Sequence, residues 1–267
     1  MIDSSTHRDI ARRLDQAEKE RVQIRQLHLD HPSLTIEDAY AIQHEWVGMK
    51  LAAGRRKVGR KVGLTSKAMQ TSVGIDEPDY GTLLDDMVFQ DSTDVPIDRF
   101  IEPRLEVELA FVLGKKLTGP NITMLDVLSA TDYVVPAIEI IDSRQQRVDP
   151  QTKGTRTIVD SISDNAANAG IVMGGRPVKP MDVDLRWVAA LLYCNGQVEE
   201  TGVAAGVLNH PCNGVAWLAN KLCAFDVSLE PGEIILGGSF TRAIFAHRGD
   251  TFHADYGPLG SIAFAFR

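Results

Sequence analysis

Residues 104–114, RLEVELAFVLG, constrain the chain more than any other stretch. Leu105, Val107, Leu109 and Phe111 fall at every second position and share one face of a strand, with Glu106 and Glu108 on the other. A solvated acidic face is the ordinary outcome of such alternation. Here, however, the run continues as AFVLG, apolar on both faces, which carries the strand into the interior. Two adjacent carboxylates are costly there unless something positive binds between them. A third acid, Glu139, lies in a comparable apolar setting within VVPAIEIID. Three carboxylates converging from two strands would offer the hard oxygen ligands that Mg²⁺ or Mn²⁺ takes.

The rest of the composition narrows the function by exclusion. With 28 Lys+Arg against 36 Asp+Glu the net charge is −8, which weighs against nucleic acid or an anionic membrane as partner. A small anion remains allowed, because a metal or a few local cations can reverse the field inside one pocket. No apolar run approaches membrane-spanning length, and the N-terminal MIDSSTHRD lacks the apolar core of a secretion signal, so the cytoplasm is the expected location. Cys194, Cys212 and Cys223 have no zinc-like spacing and read as reduced, packed residues. His44-Glu45 fails the HExxH pattern, and there is no phosphate loop or GxGxxG. GGSFT at 237–241 lacks the last glycine of a nucleophile elbow, so serine hydrolysis also loses support.

In chain order, residues 6–28 read as an amphipathic helix with Ile10, Leu14 and Ala17 on one face. A second helix starts at a Thr35–Asp38 capping box, carries Ala39, Ile42, Trp46 and Met49 inward, and stops at Gly54. The basic run 55–61 is mostly a surface cluster, but Lys61 lies where the strand turns apolar. A lysine at the edge of a core can act as an acid/base or anion-binding group, since burial lowers its pKa. A short helix is expected at 66–73, a turn at Pro78-Asp79, and a helix capped by Thr123 and Asp126. Residues 142–156 are polar and read as a mobile loop or lid, with Arg144, Arg147, Lys153 and Arg156 as cations for a second anionic group. A helix or turn around Ser161 and Asn165 follows, and Asn195-Gly196 marks a type I′ hairpin. Residues 213–225 form a helix, and the remainder is strand and turn. The sum is an α+β chain: a mixed, largely antiparallel β-roll or sandwich core with flanking helices. A small N-terminal helical unit, residues 1–56, precedes a β-roll catalytic domain, 57–267.

Several of these segments together resemble a known family. The ordered set is Lys-x-Gly-Leu-Thr (61–65), Pro-Asp-Tyr-Gly (78–81), Glu-x-Glu (106–108) and Ala-Ile-Glu-Ile-x-Asp-Ser-Arg (137–144), then Asp-Asn-Ala-Ala (164–167), His-Pro (210–211) and Ala-Trp-Leu-Ala-Asn (216–220). It is similar to the hydratase/decarboxylase family of the fumarylacetoacetate hydrolase-like superfamily, over nearly the whole chain from about residue 30. That family acts on 2-hydroxydienoates and related 2-oxo acids from catechol meta-cleavage.

The resemblance implies a divalent metal, Mg²⁺ or Mn²⁺, on Glu106, Glu108 and Glu139, a β-roll core, symmetric homo-oligomers and no organic cofactor. The substrate it implies is a small anionic 2-oxo dicarboxylate, whose carboxylate and 2-oxo oxygens chelate the metal while water adds to a double bond. Lys61 is then the first candidate for proton transfer or for polarising the substrate's head, its alternative being a structural ion pair with one of the glutamates. Asp79 is a base that relays protons or orients water, and Ser161 a hydrogen-bond partner for the substrate carboxylate. Decarboxylation of a 2-oxo dioic acid uses the same metal ligands. Hydrolysis of an acylpyruvate would need a His–Glu pair that cannot be placed in this sequence. A non-catalytic subunit associated with a sister decarboxylase is a further alternative, against which the joint presence of Lys61 and the three glutamates speaks.

Overall fold

The computed structural model describes residues 2–67, 70–71 and 75–267. The short helix expected at 66–73 falls partly outside them. The chain opens with α1 (Ser4–Glu20), one-turn α2 (Leu27–Asp30) and α3 (Ile36–Ala52). The first helix is shorter than its sequence pattern predicts. Arg21 turns left-handed (φ 56°), and its N–H and that of Val22 close on the last carbonyls of the helix. Residues 22–26 therefore leave the helix, and Ile24 forms a bridge with Gln145. The Thr35–Asp38 and Thr123–Asp126 capping boxes form as expected, each hydroxyl accepting from the N3 amide and each Asp accepting from the cap amide.

Thirteen strands follow among the described residues. They are β1 (Lys57–Gly63), β2 (Asp79–Leu84), β3 (Val88–Gln90), β4 (Asp94–Val95), β5 (Arg104–Leu113), β6 (Thr131–Ile141), β7 (Asn168–Met173), β8 (Ala189–Cys194), β9 (Gln197–Val203), β10 (Ile234–Leu236), β11 (Ile244–Phe245), β12 (Thr251–Asp255) and β13 (Ser261–Phe266). The larger sheet has the order β2-β1-β10-β5-β6-β7-β3, with β11 also paired to β5; the smaller is β4-β13-β12-β8-β9. Only β1·β10, β3·β7 and β4·β13 are parallel, so the expected mixed, largely antiparallel architecture is what the chain adopts. The β8–β9 hairpin turns on Asn195 and Gly196, both at positive φ, as a type I′ turn requires.

The alternation in β5 sorts two cores. Leu105, Val107, Leu109 and Phe111 pack with Leu192, Phe252, Ile262, Phe264 and Phe266, all five from the smaller sheet. On the opposite face of the larger sheet, Ala110, Ala137, Ile171 and Leu236 pack under Ile10, Leu14, Ile42 and Trp46 of α1 and α3. Glu106, Glu108 and Glu139 share that second face, by the two-residue period of the strands. The helices thus cover one part of the face, and the carboxylates occupy another.

Candidate active site

β5 and β6 pair with Glu106 directly opposite Glu139 and Glu108 opposite Ala137. This register puts all three carboxylates on one face, and one oxygen from each lies within 4.8 Å of the others. Glu108 and Glu139 are 1% and 0% exposed; Glu106 is half-buried. Among the described residues neither side-chain oxygen of Glu139 has a hydrogen-bond partner. Buried carboxylates crowded in this way are costly as bare anions, and a hard divalent cation relieves them. The donor set therefore fits Mg²⁺ or Mn²⁺. The carboxylates pay for their position in acidity. Burial, then Glu139, push Glu106 up to about 7, with Lys61 and Arg104 opposing. Burial, then Glu139 and Glu106, raise Glu108 well above the ordinary range, and burial raises Glu139 against the pull of Lys61.

Glu108 is steadied by a break in the neighbouring chain. After β10 the ladder along β5 becomes irregular at 237–241, which frees the Gly238 N–H to donate to Glu108 Oε2 at 2.9 Å. Gly238 sits at φ 123°, and a Cβ there would lie 2.3 Å from Thr65 Oγ1, so the position demands glycine. GGSFT, unpromising as an elbow, is thus a cradle for a carboxylate. From the side of the smaller sheet, the Tyr256 hydroxyl lies 3.0 Å from the Glu108 carbonyl and 2.5 Å from that of Ala137, bridging β5 and β6 beside the cluster.

Lys61 stands three strands from Glu139 in the order β1-β10-β5-β6, roughly 14 Å in a flat sheet. The curl of the sheet and the reach of both side chains close that gap, and Lys61 Nζ lies 3.4 Å from Glu139 Oε1. Lys61 is 4% exposed. The expectation that burial lowers its pKa is overturned. Burial does act in that direction, but Glu139, Asp79, Glu106 and Glu108 outweigh it and hold the ammonium above its ordinary value. The ion pair and the pocket position coexist, so the two readings of Lys61 are not exclusive.

Asp79 begins β2 opposite Gly63 and is 2% exposed. A Cβ on Gly63 would lie 2.2 Å from Asp79 Oδ1 and 3.2 Å from Lys61 Nζ, so this glycine lets the two groups come together. Burial raises the Asp79 pKa against the pull of Lys61. Oδ1 has no partner among the described residues, and Ser161 Oγ donates to Oδ2 at 3.5 Å. Ser161 lies in the short helix Ile158–Ser163, which is followed by three consecutive left-handed residues, Asn165, Ala166 and Ala167 (φ 52°, 50° and 59°). Each costs on the order of 1 kcal/mol or more. Asn165 secures the turn by exchanging two hydrogen bonds with the Thr82 backbone, and Ala166 and Ala167 become pocket wall.

A cavity of about 380 Å³ opens onto Lys61, Asp79, Glu106 and Ser161. Its outer wall includes Arg104, Arg147 and Arg156. Two of these come from the loop expected to be a lid, which is tied to the N-terminal unit. Gln26 Nε2 donates to the carbonyls of Gln146, Arg147 and Gly154, Ile24 bridges Gln145, and Arg25 pairs with Asp149 at 2.8 Å. Arg144, an expected anion reader, is instead buried structure. It is 2% exposed, 3.3 Å from both Asp164 and Glu18, and stacked over Trp46. Arg144→Met is accordingly expected to lower stability by about 3–5 kcal/mol through the stranded Asp164 charge; urea unfolding of the variant measures it. Arg104 escaped the sequence reading, although it shares the two-residue period of Glu106 and Glu108. Burial, then Arg147 and Arg156, depress its pKa against the pull of Glu106 and Glu102.

The model of the fumarylacetoacetate hydrolase C-terminal family matches residues 52–267. The chain belongs to this family. It is 65% identical over 266 residues, all of this chain and all of the relative, to a 2-oxo-hept-4-ene-1,7-dioate hydratase of Escherichia coli. It is 39% identical to a 2-keto-4-pentenoate hydratase of Paraburkholderia xenovorans, with 88% of this chain and 85% of that protein covered. Among solved structures, 4-oxalocrotonate decarboxylase from Pseudomonas putida G7, complexed with magnesium and adipate, superposes with a TM-score of 0.94. That pair shares 34% identity over 100% of this chain and 99% of the other.

Proposed function

We propose that the chain is a divalent-metal-dependent hydro-lyase that adds water to the double bond of 2-oxohept-4-ene-1,7-dioate and yields 4-hydroxy-2-oxoheptanedioate, a step of homoprotocatechuate breakdown. The observation that carries the reading is the full-length 65% identity to a hydratase of this substrate, in a chain whose own fold gathers three carboxylates beside a buried lysine. Glu106, Glu108 and Glu139 would hold the cation, and Mg²⁺ is preferred because a related decarboxylase structure contains it. When bound, the ion supplies a Lewis acid for the 2-oxo oxygen and neighbouring carboxylate of the substrate.

The chain's own groups then manage protons. Asp79 Oδ1, buried and without a partner among the described residues, takes the proton from C3, a role its free oxygen supports. Lys61 Nζ, kept protonated by the surrounding carboxylates, delivers one to C5, leaving the double bond between C3 and C4, conjugated with the ketone. The proton on Asp79 returns to its neighbour Lys61. Water next adds at C4, giving up its proton to Asp79, and in the last step Asp79 passes that proton to C3, which restores its carboxylate. Ser161 is better assigned to orienting Asp79 than to binding the substrate carboxylate, given its hydrogen bond.

The proposed division at residue 56 makes the N-terminal helices a buttress that fixes the 142–156 wall. Assembly as a homo-oligomer is also proposed, in keeping with the exposed Met181, Trp187 and Leu125. No helix among the described residues is long and apolar enough to cross a membrane.

Incubation of the purified chain with Mg²⁺ and the seven-carbon dioate tests the reaction. Gain of one water per substrate, without CO₂, is expected by mass spectrometry. Release of CO₂ would instead identify a decarboxylase.

A further inference from the structure

We propose that Arg104 and Arg147, both set against the ring of Phe245, form the seat for the distal carboxylate of the substrate and make the enzyme selective for dioates. The inference rests on the hydratase reading for the substrate's identity, but its physical basis is independent. Arg104 precedes Glu106 by two residues on the same strand face, so it lies roughly 7 Å along β5 from the metal end of the pocket. Its neighbour across the β5–β11 pair is Phe245, and the guanidinium carbon sits 5.7 Å from that ring. Arg147 reaches the same ring from the 142–156 wall, also at 5.7 Å, with its backbone carbonyl held by Gln26. One aromatic plate thus gathers two guanidiniums that would otherwise repel.

Neither guanidinium has an ion pair or hydrogen bond with any described residue, although salt bridges occupy most other arginines of the chain. The other cations of this wall are committed or turned away. Arg156 donates to Ser143 and lies 4.0 Å from Asp164, and Lys153 is exposed and does not line the cavity. Two uncommitted guanidinium forks lining a pocket that also opens onto Glu106, the cavity-facing member of the carboxylate cluster, match a molecule that chelates through its head and ends in a carboxylate. A monoacid tail would leave both forks without an acceptor, which is how a site built for a charged group rejects its uncharged analogue.

The test uses saturated analogues that cannot be hydrated, 2-oxoheptanedioate and 2-oxoheptanoate, titrated calorimetrically into Mg²⁺-loaded protein. The native chain is expected to bind the dioate at least tenfold more tightly than the monoacid. Arg104→Met and Arg147→Met should each weaken dioate binding by about 10- to 100-fold. Monoacid affinity should hold, and that also shows each variant to be folded. Arg104→Lys should recover part of the loss. Equal affinity of the native chain for both analogues, or parallel losses for both in the variants, would overturn the seat. Turnover of the unsaturated dioate, measured on the same preparations, reports separately on the hydratase reading.

Discussion

Glu106→Gln is expected to lower kcat/KM by about a thousandfold or more, because an electrophile held by three charges is worth several kcal/mol to the reaction. The substitution keeps size and strand propensity, so the backbone register that places Glu106 opposite Glu139 should survive. What goes is one of the three charges lying within 4.8 Å of one another, and the repulsion that charge brings. A metal titration followed by calorimetry should therefore show affinity lost, while the EDTA-treated variant is at least as stable as the EDTA-treated native chain.

The pH dependence carries a sign that can be checked. Burial, then Glu139, raise Glu106 from the ordinary 4.5 to about 7 in the folded chain. Folding then favours the protonated form. The penalty is absent below pH 4.5, grows as pH rises between 4.5 and about 7, and is complete above. Urea midpoints of metal-stripped protein should fall across that interval, and the Gln variant should show a shallower slope. An equal slope in both would remove Glu106 from the account of the cluster's electrostatics.

Lys61→Met is expected to bind metal at least as tightly as the native chain and to cut turnover by about 10²- to 10⁴-fold, the usual worth of a positioned proton donor. Methionine preserves most of the stem's apolar contact, so the loss reports on the ammonium. The native ion pair with Glu139 complicates the comparison, since removing the lysine strands a buried carboxylate. Added Mg²⁺ separates the two roles. It should raise the melting temperature of the variant by more than that of the native chain, because it replaces the missing positive charge, and it should not restore turnover. A variant that turns over normally once loaded with Mg²⁺ would confine Lys61 to a structural role.

How far the sequence could be read depended on the range of the signal. The two-residue period of 104–114 is local, and it placed Glu106 and Glu108 on one face correctly. The capping boxes at Thr35 and Thr123 and the Asn195-Gly196 turn are equally local, and each forms as read. The meeting of Glu139 with Glu106 depends on strand register, and that of Lys61 with Glu139 on the curl of a sheet across three strands; neither is written in any one segment. The same limit explains the misreadings. Arg144 sits in a polar loop by sequence yet inserts between α3 and β7, where Trp46 and Asp164 enclose it. The first helix ends at Arg21 because a left-handed residue closes it, and no glycine marks the spot. The shift of Lys61 depended on a count of carboxylates that only the fold brings within range. Arg104 was visible in the alternation, but its use needed Phe245 and Arg147 beside it.

The central claim is that the three glutamates work by holding a divalent cation. Its most direct measurement is the ultraviolet assay of protein stripped with EDTA and verified metal-free by elemental analysis, on the seven-carbon dioate with and without added Mg²⁺. The account predicts no turnover in the stripped protein and recovery when Mg²⁺ is restored. Full turnover by the verified metal-free chain would contradict it.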